Sequence, residues 1–128
     1  MRIFILEDDH ERIKTFRVKL ASHELAIVEN AQDAITLLSN DQAFDIMFLD
    51  HDLGGEQMIG TEGANTGSEV VRWMRSNQQQ YCPVIIHSLN QPAAEDMKAK
   101  LEEVAMECYR IPFTTLVDKL DDPTFITQ

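Results

Sequence analysis

Five short apolar runs, each followed by a segment with helical spacing, leave few architectures open to this chain of 128 residues. Residues 2–6 (RIFIL) read as a buried strand, and Ile13, Phe16 and Leu20 then recur at helical spacing behind the capping residue Asp9. The pattern repeats. Residues 25–28 (LAIV) precede a helix that starts at Asn30 and carries Ala34, Ile35 and Leu38. Residues 44–49 precede a long polar, glycine-containing loop and then a helix bearing Val70, Val71, Trp73 and Met74, whose start, Thr66-Gly67-Ser68-Glu69, has the capping-box form. Residues 84–88 (VIIHS) form a fourth strand, and Pro92 opens a helix with Ala94, Met97, Leu101 and Val104 on one face. The fifth strand, 108–111, is the weakest. Pro112 ends it, and residues 114–120 make a short last helix before Pro123 and a frayed tail.

This alternation predicts one α/β domain over residues 1–128: a doubly wound, flavodoxin-like parallel sheet of five strands in the order 2-1-3-4-5, with right-handed crossovers placing helices on both faces. With 44% hydrophobic residues, the chain can bury a core without disulfide or metal support. In that strand order the ligand crevice opens at the C-terminal ends of strands 1 and 3. Those two strands end in acids here, Glu7-Asp8-Asp9 and Asp50-His51-Asp52.

Charge narrows the partners. The 11 Lys and Arg residues against 22 Asp and Glu give a net charge of −11, which repels phosphate backbones and argues against non-specific nucleic-acid binding and acidic membrane surfaces. Arg12, Lys14, Arg17 and Lys19 on the first helix read as a solvated face. Cys82 and Cys108 have neither zinc spacing nor a disulfide framework around them, and no apolar run has the length of a signal peptide core or a membrane span. A cytoplasmic protein is the expectation.

Carboxylates that converge at one sheet edge raise each other's pKa unless a cation sits among them. Oxygen ligands with positions left for water suit Mg2+, or Mn2+ in its place. Glu7, Asp8 and Asp50 are the candidate ligands. Asp52 either joins them or stands where only its backbone carbonyl is used, and Asp9 taken alone reads as a helix cap.

The strand-one Glu7-Asp8 pair, the FLD ending at Asp50, Ser88 closing strand four, and Pro112-Phe113 after strand five resemble the receiver domains of two-component response regulators over roughly the whole chain. The resemblance implies a Mg2+ held by Glu7, Asp8 and Asp50, phosphorylation of Asp50 by a sensor kinase, and Ser88 as the sensing hydroxyl. It also implies a homodimer or output surface near the last helix. Receivers place a lysine immediately before the proline after strand five. Here that residue is Ile111, with Arg110 on the opposite strand face. The loop of residues 54–65 is also longer than is usual for receivers and can fold over the site.

The phrases DHDLG (50–54) and HSLN (87–90) are similar to a divergent branch, the cyclic-phosphate processing receiver domains. That likeness implies a metal-dependent phosphoesterase or cyclic phosphodiesterase acting on a small phosphate ester or a cyclic-phosphate RNA end. Asp50, His51, His87 and Ser88 are then the candidate catalytic residues. His51, in a loop beside two acids, reads equally as a loop residue and as a general acid or base. Alternation points His87 away from Ser88, where a buried, hydrogen-bonded imidazole is the ordinary outcome. His10 and His23 read as surface residues, and Asn90 as a helix cap. Two further functions stand beside the enzyme: a single-domain response regulator phosphorylated on Asp50, and a degenerate receiver acting as a binding module.

Overall fold

A computed structural model describes residues 1–55 and 58–126. Its strands are β1 (Arg2–Leu6), β2 (Glu24–Val28), β3 (Ile46–Leu49), β4 (Val84–Ile86) and β5 (Cys108–Arg110). They alternate with helices α1 (His10–Lys19), α2 (Ala31–Asn40), α3 (Gly67–Asn77), α4 (Gln91–Glu102) and α5 (Phe113–Lys119). All pairings are parallel, and the sheet order is β2-β1-β3-β4-β5, the doubly wound arrangement expected from the sequence. No helix among the described residues is long and apolar enough to cross a membrane.

Strand alternation sorts the core into two layers. Phe4 and Leu6 of β1, Met47 and Leu49 of β3, and Val84 and Ile86 of β4 face one side, where α2, α3 and α4 supply Leu38, Met74 and Met97. Ile3 and Ile5, Ile46 and Phe48, and Ile85 face the other, where α1 and α5 supply Phe16, Leu20 and Leu116. Phe16 is fully buried, its ring centroid 5.4 Å from that of Phe48, a contact that adds to the roughly 1.5–3 kcal/mol from burying the side chain.

Caps set the helix starts. Asp9 accepts from the amides of Glu11 and Arg12, Asn30 from Asp33, Thr66 from Glu69, and Asn90 from Ala93. β4 is shorter than expected, ending at Ile86, so that His87 and Ser88 lie beyond the strand. Phe125 and Ile126 pack on the α1/α5 side rather than fraying, while residues 127 and 128 of the expected tail lie outside the described residues. Both cysteines are free, and burial pushes each thiol up to about 12.

Candidate metal and phosphate site

The ladder continues one residue past three strand ends. The amide of Glu7 donates to the Val28 carbonyl, that of Asp50 to Leu6, and that of His87 to Leu49, each at 3.0 Å. Glu7, Asp50 and His87 therefore extend the rows of Ile5, Phe48 and Ile85, and all three point to the α1/α5 side of the sheet edge. Ligand atoms from the three side chains lie within 4.8 Å of one another. Ionised Glu7 can only accept hydrogen bonds, so His87 Nε2 carries the proton and donates to Glu7 Oε1 at 2.9 Å. Glu7 Oε2 accepts from the amides of Asp8 and Asp9, both at 3.0 Å.

Arg12 closes the charge cluster. Its Nη1 stands 3.7 Å from Glu7 Oε1 and 4.0 Å from Asp50 Oδ2, and its guanidinium lies 5.1 Å from the Phe113 ring centroid. The sequence reading placed Arg12 on a solvated face, but its side chain keeps only 26% exposure. The available signal was its spacing of four from buried Phe16, which puts the two on one face of α1.

Burial alone would raise the Glu7 pKa, but the His87 hydrogen bond and charge, the Asp9 amide and Arg12 together hold it below the usual carboxylate range. Asp50 goes the other way. Burial, reinforced by the Glu7 charge, pushes it up to about 7 against the opposing pull of His87, the His51 amide and Arg12. One carboxylate is held ionised and its neighbour resists ionisation, because two adjacent buried charges repel.

These groups open onto a cavity of about 280 Å³ lined by Glu7, Asp8, Arg12, Asp50 and Ser88, with Met58 and Leu89 at its apolar parts. Asp8 is partly exposed and accepts at Oδ2 from the Gly55 amide at 2.8 Å, so the long loop leans on the acidic pair. Residues 56 and 57 of that loop lie outside the described residues. Ser88 is buried, and its Oγ accepts from the Asn90 amide at 3.0 Å. Arg110 donates to the Ser88 carbonyl at 3.1 Å and does not line the cavity.

The structure sets two of the expected site residues, His51 and Asp52, apart from the cluster of Glu7, Asp50 and His87. His51 does not reach the cavity: it follows Asp50 and so turns to the opposite face, fully buried, with Nδ1 bonded to Asp52 Oδ1 at 2.8 Å. Its Nε2 has no hydrogen-bond partner among the described residues. Asp52 lines the cavity wall, but its carboxylate is engaged by protein donors. Oδ1 takes His51, the Ile59 amide at 3.2 Å and Asn90 Nδ2 at 3.0 Å, and Oδ2 takes the Met58 amide at 2.6 Å. Asp52 organises the loop through these bonds and stands apart from the cluster of Glu7, Asp50 and His87. Asn90 caps α4 as expected and also ties Asp52 to the Ile59 carbonyl. His10 and His23 stand away from the site, beside Glu29 and the N-terminus.

Gly67 accounts for how closely α3 approaches the site. Its amide donates to the His51 carbonyl at 2.9 Å, and a Cβ there would lie 2.0 Å from the Asp50 carbonyl oxygen. The donor set fits a hard divalent cation: Glu7 and Asp50 present buried carboxylates side by side, Asp8 adds a third at the rim, and the open cavity leaves room for water ligands.

Comparison with known proteins places this geometry in a family. The description "Cyclic-phosphate processing Receiver domain" matches residues 1–103. The fold is similar to the phosphorylated cyanobacterial phytochrome response regulator RcpA, with a TM-score of 0.66 at 22% identity over 94% of this chain and 88% of that one. It is also similar to the Mn2+-bound form of response regulator Rcp1, with a TM-score of 0.63 at 19% identity over 94% and 88%. The non-phosphorylated HemR receiver domain from Leptospira biflexa aligns with a TM-score of 0.64 at 18% identity over 94% of both chains. No curated protein sequence matches the chain.

Proposed function

We propose a function for this chain, which belongs to the cyclic-phosphate processing receiver domain family: metal-dependent hydrolysis of a phosphate ester, a nucleotide cyclic phosphate or a cyclic-phosphate RNA end. The observation that carries the reading is Arg12, which stands beside Asp50 and Glu7 in the cavity lining and supplies the cation missing at Ile111. Glu7, Asp8 and Asp50 would hold Mg2+ or Mn2+, which supplies Lewis-acid polarisation of a phosphoryl oxygen and an activated water. Water adds to phosphorus, one P–O ester bond of the cyclic phosphate breaks, and the leaving oxygen takes the proton that the water gives up, which yields a phosphate monoester with a free hydroxyl.

The protein groups divide the remaining work. Arg12 binds a non-bridging phosphate oxygen, its rigid fork seated on Phe113. Ser88 offers a hydroxyl from the β4 side of the same cavity. His87 is a positioning residue, acting through Glu7: its Nε2–H fixes Oε1 and keeps the carboxylate ionised. Incubation with 2′,3′-cyclic mononucleotides and with a cyclic-phosphate-ended oligonucleotide, with and without Mg2+, tests the proposal by chromatography. Metal-dependent opening of either substrate supports it, and no product from both refutes it.

A second reading is favoured by the shared cavity of Asp50 and Ser88, the pair that a receiver uses to accept and sense a phosphoryl group from a kinase. Acetyl phosphate with Mg2+ discriminates. Stoichiometric, Asp50-dependent labelling by intact mass supports signalling, whereas little or no labelling supports the esterase.

A further inference from the structure

Two of the most exposed large apolar side chains in the protein, Met58 at 67% and Leu89 at 49%, line the one cavity that also holds Asp50 and Arg12. They come from the loops leaving β3 and β4, and the loops are bonded to each other: Asn90 Nδ2 donates to Asp52 Oδ1 at 3.0 Å and to the Ile59 carbonyl at 3.1 Å. Met58 is held in a left-handed conformation, φ 54°, which a non-glycine side chain disfavours, by the hydrogen bond that its amide N–H donates to Asp52 Oδ2 at 2.6 Å. Leu89 is bracketed by Ser88 and Asn90, whose hydroxyl and amide are bonded at 3.0 Å. The structure thus fixes two apolar groups at the mouth of a charged site and holds one of them there against backbone strain.

On the phosphate-ester reading above, we infer that Met58 and Leu89 clamp the organic part of the substrate, and that this part is a nucleoside. The ligand must carry an anion for Arg12 and the metal and, within one short span, an apolar group for a thioether and an isobutyl chain. A base on its ribose meets both demands, and sulfur–ring contact is favourable. A cavity of about 280 Å³ suits a mononucleotide or one terminal residue of a strand, and the net charge of −11 disfavours holding a long one.

The test is the affinity of the Mg2+-loaded protein for adenosine 3′-monophosphate, glycerol phosphate and orthophosphate, by calorimetry, in the wild type and in Met58→Gln/Leu89→Gln. Both side chains are exposed, so the fold and its melting temperature should be retained. The wild type should bind the nucleotide at least about tenfold more tightly than glycerol phosphate, and the double variant should lose that preference with orthophosphate affinity unchanged. Equal wild-type affinities for nucleotide and glycerol phosphate would overturn the inference while leaving the phosphate site intact. A preference that survives in the double variant would also overturn it. Failure of orthophosphate and every ester to bind would remove the phosphate-ester reading, and this inference with it.

Discussion

His87 Nε2 and Glu7 Oε1 meet at 2.9 Å with both side chains fully withdrawn from solvent, a hydrogen bond that spans 80 residues of sequence and joins β1 to β4 across β3. The imidazole lies among aromatic rings, with its centroid 5.4 Å from Phe16 and 6.0 Å from Phe113. Removing it leaves the Glu7 carboxylate buried without the imidazole N–H that Oε1 accepts. His87→Ala should therefore cost about 3–5 kcal/mol in urea unfolding, and His87→Gln, which keeps an N–H donor, should recover part of the loss. A loss below about 1 kcal/mol would mean the pair does not hold Glu7 in place.

Asp50 sets a pH dependence whose sign is unusual for a carboxylate. Its folded pKa is raised from 3.8 to about 7, so the folded protein binds more protons than the unfolded chain between those values. The contribution of Asp50 to metal-free stability is full below about pH 4 and falls as pH rises to about 7, by an amount on the order of a few kcal/mol. Denaturation of wild type and Asp50→Asn across that window should show the difference slope vanish in the variant. Because a cation must displace the proton, apparent Mg2+ affinity should weaken by up to about tenfold per pH unit below 7.

Arg12 should act with opposite sign on the two ligands of the site. Its guanidinium repels a cation and attracts an anion, so Arg12→Gln should tighten Mg2+ binding and weaken orthophosphate binding to the Mg2+ form, each by about tenfold at this partial exposure. Calorimetric titration of both ligands checks it. Parallel weakening of both would indicate that Arg12 is merely structural.

The alternating apolar runs made the sheet, its order and the acidic edge legible, because a doubly covered strand declares itself as a short hydrophobic stretch and the topology then places Glu7 beside Asp50. The two histidines illustrate what was harder to read. Parity along β3 and β4 puts Asp50 and His87 on one face and His51 on the other, so the residue tethered to Asp50 is the one its neighbour turns away from the site. Arg12 was obscured by its basic neighbours on α1, and its spacing of four from Phe16 is the sequence feature that distinguishes it from Lys14 and Arg17. Asp52 carries the same side chain as Asp8 and Asp50, but its role depends on the path of the loop through Met58 and Ile59, which no local pattern specifies.

Gly67 links the backbone of α3 to the site. Gly67→Ala puts a Cβ against the Asp50 carbonyl, a contact with rigid backbone that must be relieved by moving either the helix start or Asp50. The substitution should cost about 2–3 kcal/mol and blunt the Mg2+ response by displacing Asp50, as read from melting curves with and without metal. An unaltered melting temperature would contradict the close approach.

The proposed function requires that Glu7, Asp8 and Asp50 hold a divalent cation. Isothermal titration of the wild type with Mn2+ and Mg2+ at pH 8, paired with the same titration of Asp50→Asn, tests it most directly. The close approach of Glu7 and Asp50, with Asp8 at the rim of the same cavity, predicts one site per chain in the wild type, a melting temperature that rises with metal by mass action, and loss of both in the variant. Absence of binding heat and melting shift in the wild type, or binding that survives unchanged in Asp50→Asn, would contradict it.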